Sequence, residues 1–107
     1  MNDSKNKPKD KPKDKPENIE VRRKRLRYRS WHRGTQEMDL ILGHFADAHL
    51  SNYQTLELDR FEKLIDEQDT DLLKWILGQE ILPIDVDSDL IAQLIKFQHD
   101  RTKINNK

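Results

Sequence analysis

Apolar residues recur at three- and four-residue spacing through most of this chain beyond residue 17. Met38, Ile41, Leu42, Phe45 and then Ala48 or His49 make one stripe of a helix predicted over 35–50. Leu58, Phe61, Leu64 and Ile65 are the inward face of a helix over 56–68, with Thr55 as its N-cap, since a hydroxyl there accepts from the unpaired amides of the first turn. A short helix starts at 69–71 and carries Leu72, Leu73, Trp75, Ile76 and Leu77, with Gly78 near its end. The stretch 81–87 contains Pro83 and is a connection. The last helix begins at Asp87 or Ser88 and turns Leu90, Ile91, Leu94, Ile95 and Gln98 inward. Ahead of these, 19–32 has neither Gly nor Pro and is rich in Arg and Leu, which favours helix by propensity. Gly34 ends it, by way of the left-handed backbone that glycine adopts readily. Nothing alternates with a period of two, so no sheet is expected. The pattern predicts an all-α, compact bundle of about five short helices. Its core holds Phe45, Phe61, Leu64, Leu72, Trp75 and Leu94.

Residues 1–16 break the pattern. Lys-Pro-Lys-Asp occurs at 7–10 and 11–14, and Lys15-Pro16 opens a third copy. Prolines at every fourth position disfavour helix, and no apolar residue follows Met1 to offset the entropy of ordering. The chain divides into a disordered Lys/Pro/Asp-rich tail, 1–16, and a helical domain, 17–107. The tail is expected to be a solvated spacer, because its aspartates dilute the lysines that nucleic acid or anionic lipid would need.

With 107 residues, 34% hydrophobic and 37% charged, the chain supports one domain with a thin core. Net charge is zero, but 22–33 holds seven basic residues and no acidic one, while 34–107 holds 7 basic and 15 acidic. The absence of cysteine excludes disulfides, thiolate metal sites and cysteine nucleophiles. No apolar run approaches the roughly 20 residues a spanning helix needs. There is no secretory h-region, and Asp3, Asp10 and Asp14 spoil an acid-poor transit peptide. The expected compartment is the bacterial cytoplasm.

Catalytic and metal chemistry find little footing. His44 and His49 are five apart, not on one helix face, and His32 and His99 are isolated. Ser30, Ser51 and Ser88 sit in no nucleophile elbow. Gly34, Gly43 and Gly78 build no phosphate-binding loop. The acids of the last three helices are expected to form a solvated face. The basic stretch from Arg22 to Arg33, with Tyr28 and Trp31 interleaved, leaves three roles open. It can bind nucleic acid through phosphates and stacking. It can be a helix that packs Leu26 and Ser30 while its arginines stay wet. It can dock on an acidic protein surface.

Arg33-Gly34-Thr35-Gln36-Glu37 lies where the first two helices meet. With Gly34 as N-cap of the second helix, Glu37 is at its third position and closes a capping box. Arg33 has no such duty: it ends the first helix with its guanidinium at the C-terminal carbonyls, or it points outward as a fork for a partner's carboxylate. In its context the pentad resembles the succinate dehydrogenase assembly factors, or FAD flavinylation factors, whose mark is Arg-Gly-x-x-Glu. Arg25-Leu26-x-Tyr28-x-Ser30 upstream, Phe45, Phe61-Glu-Lys-Leu64-Ile65, Asp69-x-Asp71-Leu72 and Trp75 are similar to the family as well, so the resemblance covers about 22–97. It implies a five-helix, non-catalytic factor that binds the flavoprotein subunit of succinate dehydrogenase, and in bacteria that of fumarate reductase. There it promotes covalent attachment of FAD to a histidine of that subunit. FAD then belongs to the client, with none bound stably by this chain. Arg33, Gly34 and Glu37 are the implied partner-binding residues, forming one surface patch. The free factor is expected to be a monomer that neither inserts into membranes nor binds nucleic acid. The alternatives are an antitoxin-type regulator and a basic-helix nucleic-acid binder.

Overall fold

The computed structural model describes residues 17–105, with side chains described to residue 102. The disordered tail expected over 1–16 lies outside the described residues. Five α-helices follow in order: α1 Ile19–Trp31, α2 Gln36–His49, α3 Thr55–Ile65, α4 Asp69–Ile76 and α5 Ser88–Asn105, with a 3-10 turn at Leu50–Asn52 after α2. Among the described residues there is no strand. The all-α expectation holds.

Each helix start has a local cause. The Asn18 side chain accepts from the amides of Glu20 and Val21 and starts α1. Thr35 accepts from Met38 N and starts α2. At α3 the cap is Gln54, not Thr55: the Gln54 amide donates to Glu57 Oε1 at 2.6 Å in a capping box, and Thr55 is the first helical residue. That helix ends at Ile65, earlier than 68, because Asp66 is its C-cap. At the end of α4 the chain turns through Gly78, the one positive-φ residue among the described residues, at φ 73°.

α1 packs against α2 and α3, α2 against α5, and α4 against α5. All six residues expected in the core are buried, together with Leu26, Met38, Ile41, Leu42, Ala46, Leu50, Leu58, Ile65, Ile76, Leu90 and Ile91. Phe45 is the hub: it stacks on His49, lies parallel to Phe61 at 6.0 Å and meets the edge of Phe97 at 5.5 Å. His49 therefore belongs to the core edge, whereas Ala48 is exposed. Ile95 and Leu77 are exposed too. The inward stripe of α5 runs Leu90, Ile91, Leu94 and Phe97, and Ile95 lies one step round the helix from it.

The inner face of α1 is Leu26 and Ser30, both fully buried, and the Ser30 hydroxyl is satisfied by donating to Leu26 O at 2.8 Å. The Trp31 ring lies flat on Gly43 of α2, where any Cβ would enter the ring. Its indole N–H reaches Asp47 at 3.2 Å, and its edge meets His44.

Candidate functional site

Of the arginines of α1, all but Arg27 have partners within the fold. Arg22 binds Asp59 at 2.7 Å and Glu62 at 2.9 Å, Arg25 binds Glu62 at 3.0 Å, and Arg29 binds Asp66 at 2.7 Å. Arg33 continues the series to Asp69 at 2.8 Å. Both sets advance at three- and four-residue steps in the same direction, so α1 and α3 run side by side with a ladder of opposite charge between them. Four of the acids predicted to be a solvated face, Asp59, Glu62, Asp66 and Asp69, are the counter-surface of the basic segment. Burial alone would raise the carboxyl of Glu62, but the bonds from Arg25 and Arg22 outweigh it and hold the group below its ordinary range. Arg23 turns the other way and donates to Tyr53 O at 2.7 Å.

Arg33, expected to lack a capping duty like that of Glu37, is the least exposed of the set. Its Nε donates to Asp69 Oδ1 at 2.8 Å, Nη1 to Ile65 O at 2.7 Å and Nη2 to Glu67 O at 3.0 Å. Its side chain is only 9% exposed. The guanidinium thus caps the carbonyls at the C-terminal end of α3, where a cation is favoured. The backbone amide of Arg33 donates to Asp39 Oδ1. Asp69, the first residue of α4, uses its second oxygen on Gly34: the Gly34 amide donates to Oδ2 at 2.6 Å. One carboxylate therefore ties the α1–α2 turn to the α3–α4 corner.

Gly34 and Glu37 are exposed. Gly34 is neither left-handed nor the cap of α2; His32 caps α1 with its amide on Arg29 O, and Thr35 caps α2. Glu37 is consequently the second residue of α2 and closes no capping box. Its carboxylate lies in the first turn, on the positive end of the helix, and bonds no described residue. Of the expected patch, then, Gly34 and Glu37 face outward and Arg33 faces inward. Beside the turn lies a shallow trough walled by Tyr28 and His32, whose rings stack at 3.8 Å, and by Gln68 and Asp69. Lys24 and Arg27 are exposed and have no carboxylate partner among the described residues. No group of three His, Cys, Asp or Glu among the described residues is arranged to hold a metal.

Residues 24–98, which contain Arg33, Gly34, Glu37 and Asp69, match the protein family described as flavinator of succinate dehydrogenase. The chain belongs to that family. Among curated relatives of the flavinator family, this chain is 48% identical over 59 residues to the succinate dehydrogenase assembly factor 2, mitochondrial, of Debaryomyces hansenii, covering 55% of this chain and 42% of that protein. It is 30% identical over 80 residues to the FAD assembly factor SdhE of Acetobacter pasteurianus, covering 75% and 73%. A third, the mitochondrial assembly factor 2 of Candida glabrata, is 33% identical over 91 residues, covering 81% and 60%. The chain spans less than half the length of the Debaryomyces relative and about three quarters of the bacterial one. The family match begins at residue 24, so residues 1–16 lie outside it.

Sequence reasoning missed Asp69, Glu62 and Asp66 as partners of the basic segment. A signal was present: Asp59, Glu62, Asp66 and Asp69 repeat the spacing of Arg22, Arg25, Arg29 and Arg33 almost step for step.

Proposed function

We propose that this chain is an assembly factor that promotes covalent attachment of FAD to the flavoprotein subunit of succinate dehydrogenase, with the fumarate reductase subunit as a second client. The family match over residues 24–98 carries this conclusion. FAD and the histidine it becomes attached to belong to the client, and the factor is a non-catalytic helper, in keeping with the assembly-factor names of its relatives. The mechanism is preorganisation: the factor binds most tightly the client conformation in which flavin and histidine are aligned, and so raises its population. The exposed edge of the α1–α2 turn, Gly34 and Glu37, makes the contact, and Arg33 holds that edge in place. Commitment of Arg22, Arg25, Arg29 and Arg33 to internal carboxylates favours this role over nucleic-acid binding. Among the described residues no helix is long and apolar enough to cross a membrane. The compartment we favour is the bacterial cytoplasm, supported by the Acetobacter relative; the mitochondrial names of the fungal relatives make the mitochondrion the alternative.

The test mixes the purified chain with the purified flavoprotein subunit lacking covalent flavin and follows the mixture by sedimentation. A monomeric chain that forms a one-to-one complex supports the proposal. Separate boundaries at tens of micromolar of each protein overturn it.

A further inference from the structure

We infer that Asp69 is the positioning residue of the Arg33–Gly34–Glu37 turn, and that Asp69 itself is what requires glycine at position 34. The inference rests on the proposed client contact at this turn and adds to it the residue that sets its geometry.

Backbone conformation does not explain the glycine, because Gly34 is not in the left-handed region, whereas Gly78 is. Space does. An ideal Cβ on Gly34 would sit 3.0 Å from Asp69 Oδ2, tighter than ordinary van der Waals contact. That oxygen cannot swing aside freely. It accepts from the Gly34 amide at 2.6 Å while its twin accepts from Arg33 Nε at 2.8 Å. The carboxylate is 17% exposed and its backbone is fixed as the first residue of α4. A methyl at position 34 therefore has to push that oxygen back by a few tenths of an ångström, at the expense of one of the two bonds or of the position of the turn. The turn in turn leads straight into Thr35, the cap of α2, and Glu37 in its first turn. The register of the exposed edge is thus set from a helix 35 residues further along the chain.

A double-mutant cycle of Gly34→Ala, Asp69→Ala and the pair tests this, read as affinity for the purified flavoprotein subunit and as melting temperature. Asp69→Ala should weaken the complex by more than about tenfold at a temperature where circular dichroism shows it fully folded. Gly34→Ala should cost about tenfold with Asp69 present and less than about threefold without it, because contacting residues couple. Asp69→Asn keeps one acceptor oxygen and should fall between wild type and Asp69→Ala. The Gly34 amide proton should move upfield in both Asp69 variants. Ile91→Val, a core change on α5, is the control for lost stability and should bind as wild type. Gly34→Ala costing the same affinity with and without Asp69 would place the demand for glycine at the client instead and overturn the inference, as would an Asp69→Ala variant that binds normally. Failure of the wild-type chain to bind the subunit would overturn the proposed function, while the melting temperatures and the Gly34 resonance would still decide the clamp.

Discussion

Arg33→Ala should damage the fold before it damages anything else. The substitution removes three charge-assisted hydrogen bonds from a side chain that is 9% exposed. Hydrogen bonds to charged groups are worth about 1.5–3 kcal/mol each when lost singly. They do not add here, because the carbonyls of Ile65 and Glu67 border an open trough and rehydrate, and Asp69 keeps the Gly34 amide. The expected net loss is about 3 kcal/mol, near the cost of breaking a largely buried ion pair by removing one partner. For a domain of this size each kcal/mol lowers the melting temperature by about 4–8 °C, so the shift should be about 12–24 °C. Arg33→Lys keeps the charge but not the three-way fork, and should recover roughly half of the loss. Calorimetry of the full chain, with urea denaturation at 10 °C to fix the free energy, gives the number directly. A melting temperature for Arg33→Ala within about 2 °C of wild type would refute the clamp as a stabilising element. The result also governs any client assay of this variant, which has to be run well below its lowered melting temperature.

Gly43→Ala places a methyl where the Trp31 ring lies and should cost about 1–3 kcal/mol, with a red shift of indole fluorescence as the ring is pushed off α2. Glu62 titrates below its ordinary value of 4.5 in the folded chain, so its contribution is complete above that value and is lost as pH falls through the folded value. Acid unfolding should therefore steepen below about pH 4.5, and Glu62→Gln should flatten that limb, a change visible in melts from pH 3 to 6. Removing residues 1–16 should leave both the melting temperature and client affinity unchanged, since they lie outside the family match; loss of binding would show that the tail takes part in recognition.

The helices that bury a wide apolar stripe were legible from spacing alone. Phe61, Leu64 and Ile65 on α3, and Leu72, Trp75 and Ile76 on α4, all lie inward as their periods require. α1 was legible only as a helix. Its buried face is Leu26 and Ser30 alone, so nothing local says which way its arginines point. Their partners lie 36 to 40 residues along the chain, and pairing at that range depends on how α1 and α3 pack. Short-range chemistry misled at the caps. Gly34 and Thr35 are both good cap residues, as are Gln54 and Thr55 in context, and one position of slip moved Glu37 out of its capping box. The same slip of one position on α5 put Ile95 on the wrong side of Leu94. At the site, the pentad named Gly34 and Glu37 as outward-facing, while the inward turn of Arg33 follows from Asp69, whose role as a carboxylate clamp has no signature within the pentad itself.

The measurement closest to the central claim is covalent flavin on the client. A strain lacking its own assembly factor is supplied with this chain or with Glu37→Ala, and the flavoprotein subunit is resolved under denaturing conditions and read by in-gel flavin fluorescence. The wild-type chain should restore the fluorescent band. Glu37→Ala should restore it poorly while melting within a few degrees of wild type, because Glu37 is exposed and bonds no described residue. A wild-type chain that leaves the subunit without covalent flavin, although both proteins are present and folded, would contradict the account.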